Sequence, residues 1–196
     1  VNLALDECDV VIAVGYDLVE YSPVLWNKAG SKKIVHIDFA PAEIDEHYPV
    51  TVDVVGDIAD ALWQINELIN AKRGSNLPVF DIAKRAKLRQ AMLDEFAAEE
   101  DDKGFPVKPQ RILSDVRKAM GPSDILLSDV GAHKMWISRY YQCEEPNTCL
   151  ISNGFCSMGF ALPGAIGAKI AFPDRKVLAI CGDADQTMMN VSYLNI

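Results

Sequence analysis

The sequence predicts an α/β chain made of two partial Rossmann-like three-layer domains with parallel sheets. Three observations predict it. Short runs rich in Val, Ile and Leu recur along the chain, as parallel strands covered on both faces require. Helical periodicity fills the intervals between them, and alternation of the two marks α/β architecture. After Lys72 the composition breaks into Gly74, Ser75, Asn76 and Pro78, a linker signature that separates one set of alternations from the next.

In chain order, Val10–Val14 and Lys33–Ile37 are the first strands and Thr51–Val55 a short third. Ile58–Asn70 is a helix, with Ala61, Leu62, Ile65, Leu68 and Ile69 on one face. Asp81–Glu100 is a mixed-charge helix with a thin apolar stripe, and the acidic run Glu99–Asp102 reads as its solvated end. Gln110–Met120 is a helix that places Ile112, Leu113, Val116 and Ala119 together. Asp124–Leu127 and Lys176–Cys181 are further strands, and Ala165–Ala171 is a small-residue helix expected to be tightly packed and buried. The expected organisation is 1–72 as the closing half of one α/β domain, 73–107 as a linker, and 108–196 as the opening part of another. The chain is already in an amphipathic pattern at Val1 and stops soon after a Gly-Asp turn, so an internal piece of a longer protein is expected.

Lys plus Arg number 19 and Asp plus Glu 28, for a formal net charge of −9. A dedicated nucleic-acid binder carries the opposite balance. No apolar run approaches the ~18 residues of a membrane span. The expectation is therefore a cytoplasmic protein with neither nucleic acid nor membrane as partner. Cys8, Cys143, Cys149, Cys156 and Cys181 form an odd, scattered set without a CxxC pair, which argues against a disulfide framework or zinc site and for buried thiols.

The chemistry concentrates in the second half. In Lys176–Thr187, KVLAICGDADQT, an apolar strand ends in Gly182 and Asp183. Ligands of open α/β sheets bind beyond the carboxyl ends of strands, where a glycine admits a phosphate and a carboxylate can hold Mg²⁺. Gly-Asp alone also marks many simple turns. The strand before it leads into Ser128–Trp136, SDVGAHKMW, where Gly131 lets the chain turn and the next helix offers N–H groups to an anion. His133 stands where a donor could touch a phosphate oxygen, although a lone histidine there serves structure as readily. Between the two lies Ile151–Ala168, ISNGFCSMGFALPGAIGA, whose small residues permit close approach of helix to sheet or of a ligand.

These segments, in this spacing, resemble the diphosphate-binding domain of thiamine-diphosphate enzymes of the acetolactate synthase family. Upstream, DVVIAVGYDLVEYSPVLWN, KKIVHIDFAPAEIDEHYP and VVGDIADAL resemble the central domain of the same family. The tract around Tyr16, Asp17, Tyr21, Trp26 and Asn27 is most similar to the catabolic members, which do not need FAD. The resemblance implies thiamine diphosphate and Mg²⁺ as cofactors, with FAD less favoured, pyruvate as substrate, and a homodimer or homotetramer. By position, Asp183 matches the Mg²⁺-binding aspartate of a Gly-Asp-Gly motif that here reads Gly182-Asp183-Ala184. Ala184 and Asp185 would offer backbone N–H groups to the diphosphate. Gly131, Ala132 and His133 match a Gly-Gln-His segment, with Ala132 in place of the glutamine, so that backbone contact must serve there. Met158, following Ser157 in the same loop, matches the apolar residue that props the cofactor into a bent shape. The implied catalytic glutamate and second Mg²⁺ ligand have no counterpart in this sequence, and after Asp185 the pattern drifts from the family's.

Three other readings stand beside this one. A sibling 2-oxo-acid decarboxylase or carboligase shares all these motifs. The DADQT stretch also fits the nucleophile loop of haloacid-dehalogenase-like phosphatases, with Asp183 attacking phosphorus and Asp185 as general acid. The drift after Asp185 suits a non-catalytic homologue.

Overall fold

The computed structural model of the protein describes residues 2–19, 21–43, 45–72 and 82–184. The chain divides into two compact units, Val1–Leu88 and Arg89–Ile196.

The first unit contains α1 (Asn2–Asp6), β1 (Val10–Val14), β2 (Lys33–Asp38), β3 (Val50–Val55) and α2 (Ile58–Ala71). The strands form one parallel sheet in the order β1-β2-β3, with Val10 opposite Lys33 and Asp38 opposite Val55. Its core gathers Ala13, Trp26, Ile34 and Tyr48, where Trp26 and Tyr48 meet edge to face. The strands are parallel as expected, but only β2 is well buried. Val10, Ile12 and Val14 of β1 and Val52 and Val55 of β3 are exposed. The helix expected at 58–70 forms, capped by the Asp57 carboxylate, which accepts the Asp60 N–H at 2.9 Å. Its apolar stripe is present but uncovered: only Ile58 and Ala61 are even half-buried.

The mixed-charge helix forms as α3 (Ala83–Ala97), across the division between the units. The second unit continues with α4 (Pro109–Ala119), β4 (Ile125–Ser128), α5 (Ala132–Tyr140), β5 (Cys149–Ile151), α6 (Ala161–Ala171) and β6 (Val177–Ile180). Its sheet is parallel in the order β5-β4-β6, and all four residues of the central β4 are buried. Successive β4 side chains serve opposite layers. Leu126 packs with Leu113 of α4 and Ile137 and Tyr140 of α5, whereas Ile125 and Leu127 pack with Ala161 of α6.

Three expectations are corrected. The helix placed at Ala165–Ala171 starts at Ala161 and is not buried: Ala161, Ala165 and Ala168 pack toward the sheet, while Ile166 and Ile170 face outward. One side of α6 is packed, which is all that a helix on a single sheet face needs. The acidic run is not a freely solvated helix end. Lys108 pairs with Glu99 and, at 2.9 Å, with Asp102, and Ser114 Oγ donates to Glu100 at 2.9 Å. The cysteines are thiols, but Cys143 is exposed and the other four are half-buried.

Candidate functional site

In the second unit Ser128 lies opposite both Ile151 and Ile180, so the three strands end level. Their carboxyl ends therefore bring three sequence segments to one edge: 129–131 after β4, 152–160 after β5, and 181–184 after β6.

The segment after β4 is organised by Asp129, which is fully buried. Its N–H donates to the Ile180 carbonyl at 2.9 Å, tying it to β6. Its Oδ1 accepts N–H groups from Val130 at 2.9 Å and Gly159 at 3.0 Å, and its Oδ2 accepts that of Ala161 at 3.0 Å. Ala161 opens α6, whose own N-cap residue, Phe160, makes no side-chain cap. The Asp129 carboxylate thus supplies the acceptor that the α6 terminus lacks locally. Orphan N–H groups at a helix start attract anions, and in α6 that place is taken by a residue of the chain.

The α5 terminus differs. Gly131 is its N-cap, with φ of 145°, and as glycine it has no side chain with which to cap the helix. A Cβ at this position would stand 3.0 Å from His133 Cε1 and 3.1 Å from Nδ1. The histidine ring therefore folds back over Gly131, in space that only glycine leaves. Its Nε2 is sealed from solvent with no hydrogen-bond partner among the described residues. A buried polar atom without a partner is costly, and a ligand oxygen would satisfy it. Ala132 beside it is exposed.

The segment after β5 is a sharply turned loop, with φ of 71° at Gly154, 49° at Cys156 and 84° at Gly159. Lys134 of α5 holds it from one side, donating from Nζ to the Ser152 carbonyl at 2.8 Å and to Cys156 Sγ at 3.4 Å. Asp129 holds it from the other. Between these anchors Phe155, Ser157 and Met158 are exposed. After β6, Gly182 is half-buried and Asp183 and Ala184 are exposed, with the Ala184 N–H donating to Asp183 Oδ1 at 2.9 Å. Asp185 and Thr187, on which the phosphatase reading depends, lie outside the described residues.

The structure thus brings Gly131, Ala132, His133, Ser157, Met158, Gly182, Asp183 and Ala184 to one edge of one sheet. Asp129 and Lys134 are the residues that sequence reasoning passed over. A carboxylate directly after the strand was the one local signal for Asp129, and Lys134 had none.

A second concavity, in the first unit, opens beyond the carboxyl ends of β1 and β2. Its volume is about 230 Å³ and its lining includes Asp17, His36, Asp38 and Tyr48 but neither Lys nor Arg. His36 Nδ1 and the Tyr48 hydroxyl share a 2.9 Å hydrogen bond, and burial pushes that hydroxyl up to about 12.

Residues 1–65 match the thiamine pyrophosphate enzyme central domain, and residues 129–195 match the thiamine pyrophosphate enzyme C-terminal TPP binding domain. Acetolactate synthase of Bacillus subtilis is 34% identical over 187 residues, covering 93% of this chain and 31% of that protein. Catabolic acetolactate synthase of Raoultella terrigena is 34% identical over 179 residues, 91% of this chain and 32% of that one. The probable acetolactate synthase large subunit of Methanococcus aeolicus is 32% identical over 203 residues, 98% and 34% respectively. The chain spans about a third of the length of the curated relatives it matches.

Proposed function

Because the chain belongs to the thiamine pyrophosphate enzymes, carrying their central and C-terminal TPP-binding segments, we propose that it forms part of an acetolactate synthase. The reaction joins two pyruvates into 2-acetolactate with loss of one CO₂, using thiamine diphosphate and Mg²⁺. The observation that carries this reading is the buried Nε2 of His133, without a partner among the described residues, at the glycine N-cap of α5 and inside the segment that matches the TPP-binding domain.

The donors at the strand ends fit a diphosphate with its cation. His133 Nε2 would donate to a phosphate oxygen, and the α5 terminus favours negative charge. Asp183 would hold Mg²⁺ through carboxylate oxygen. Among the described residues no three His, Cys, Asp or Glu side chains cluster as a metal cage. That suits Mg²⁺, which keeps waters and takes substrate phosphate oxygens in preference to an all-protein site. Ala184 and Asp185 would add backbone N–H groups, and Ala132 would contribute through its backbone alone. Met158, exposed between two anchored ends of its loop, would press on the cofactor and orient it. Bound there, thiamine diphosphate supplies the electron sink for decarboxylation and carbon–carbon bond formation.

No catalytic side chain is assigned within this chain. The remaining two thirds of the enzyme would provide it, and a homodimer or homotetramer would complete the site. The resemblance of the tract around Tyr16, Asp17, Tyr21, Trp26 and Asn27 to the catabolic members favours a reading without FAD. The cytoplasm is the proposed location.

The test is a pyruvate assay on the complete enzyme with thiamine diphosphate and Mg²⁺. Acetolactate is the expected product. Acetaldehyde or another product would move the assignment to a sibling enzyme, and no consumption of pyruvate would remove it. The 196-residue chain by itself is expected to be inactive, and Asp183→Ala in the complete enzyme is expected to abolish Mg²⁺-dependent cofactor binding while leaving the fold intact, since an exposed strand-end carboxylate is not core.

A further inference from the structure

Among the described residues Asp129 is a buried carboxylate with no cation against it, and its side-chain hydrogen bonds all come from backbone N–H groups. Two of them, at Gly159 and Ala161, lie 30 and 32 residues away in sequence and flank Phe160 directly after Met158. The same residue is fixed to β6 through its own N–H and to Ser128, whose Oγ donates to the Asp129 carbonyl at 2.9 Å. Its carboxylate therefore joins the segment after β4 to the segment after β5, while its backbone N–H ties both to the end of β6. It is too deep to touch a ligand, and its oxygens are already engaged.

We propose that Asp129 is the positioning residue of the cofactor loop: by holding the N–H groups of Gly159 and Ala161 it sets the height and direction of Met158, and through Met158 the bound shape of thiamine diphosphate. This rests on the assignment of the cofactor above. Residues 152–160 turn through three positive-φ positions, a backbone that does not hold itself. Lys134 anchors its start at Ser152 and Cys156, and Asp129 anchors its end. Ser157 and Met158, exposed between the Cys156 and Gly159 anchors, keep their orientation only while both hold. Charge-assisted bonds from a carboxylate to N–H groups are the stronger kind, and in the analogous case of groups that orient a metal's ligands the loss of the outer partner costs about ten- to hundredfold.

The test uses the complete enzyme carrying Asp129→Asn, Asp129→Glu, Met158→Ala and the double variant Asp129→Asn/Met158→Ala. Asn keeps the shape but turns an NH₂ toward a backbone donor. Glu keeps the charge and displaces it by one methylene. Three quantities are read: thermal unfolding without cofactor, the dissociation constant of thiamine diphosphate, and the rate of hydrogen–deuterium exchange at the thiazolium C2 of bound cofactor. That last rate reports how the bound cofactor is bent and is independent of turnover.

For Asp129→Asn the expectation is roughly tenfold or greater weakening of cofactor binding and slower C2 exchange, with partial recovery of both in Asp129→Glu. The two substitutions should combine in the double variant to less than the product of their separate effects, because both act through one loop. Unchanged affinity and exchange in Asp129→Asn overturns the proposal, and so does a fully multiplicative double variant. If neither Asp129 variant folds, a positioning role separate from folding is overturned. Failure of the wild-type enzyme to bind thiamine diphosphate overturns the cofactor assignment itself and this proposal with it, and is seen before any variant is compared.

Discussion

Gly131 and His133 are coupled by space. The φ of 145° at Gly131 and the 3.0 Å that a Cβ would leave to the imidazole mean that any side chain there is strained and displaces the histidine. Gly131→Ala is therefore expected to lower stability by about 1–3 kcal/mol and to weaken cofactor binding in the complete enzyme, as melting and binding titrations would show. His133→Ala should separate the two effects. Its Nε2 is buried without a partner among the described residues, so removing it is expected to leave the melting temperature without cofactor nearly unchanged or higher, while affinity for thiamine diphosphate falls. A large loss of stability instead would make His133 a structural residue. That Gly131, His133 and Asp183 stand just beyond strand ends was legible in the sequence, because a strand and the turn after it are set within a few residues. Asp129 and Lys134 were not, because the groups they hold lie 30 and 18 residues away and are mostly backbone.

Elements were legible where apolar runs were long. The strands at 10–14, 33–37 and 50–55 emerge within a residue of their expected bounds. Only three residues long, β5 is shorter than any run that periodicity can distinguish, and its place beside β4 is set by tertiary pairing. The small residues of 151–168 permit close approach of helix to sheet, and Gly164 makes such an approach: a Cβ there would come within 2.7 Å of Leu127 Cδ2. Gly164→Ala is expected to cost about 1–3 kcal/mol by overpacking α6 on β4, with Leu127→Val recovering part of it in a double-mutant cycle. The opposite end of the sheet has its own clasp. Asp124 accepts N–H groups from Gly121 at 2.7 Å and Lys176 at 2.9 Å, and these bonds hold its carboxyl below the usual carboxylate range. The unfolded chain then binds the proton more readily than the folded one. Asp124 thus stabilises the fold above the ordinary carboxylate pKa of about 3.9, and the contribution is lost as pH falls through the lower folded value. Melting curves from pH 6 to pH 2 should show a less steep acid loss in Asp124→Asn, measured against the wild type at each pH.

Across the whole molecule, uncovered apolar surface is the dominant feature. In the first unit Ile12 is 64% exposed, Trp63 61% and Leu68 62%, and β1 and β3 each pair only with β2 among the described residues. In the second, Phe155 is 98% exposed and Ile170 77%. Parallel sheets are stable when both faces are covered, and open edges invite pairing with other chains. A net charge of −9 opposes association at long range, but salt screens it beyond about 8 Å at physiological ionic strength, whereas apolar contact acts at the surface itself. The 196-residue chain made alone is therefore expected to self-associate and to bind a hydrophobic dye, more so as salt rises. The complete enzyme, in which the remaining two thirds and a second subunit would cover these faces, should do neither beyond its proper oligomer. Sedimentation velocity and dye fluorescence at equal molar chain concentration compare the two directly. A monodisperse, dye-silent 196-residue chain at all salt concentrations would mean that these faces are tolerated in water, and would remove surface exposure as an argument for cover supplied from outside the segment.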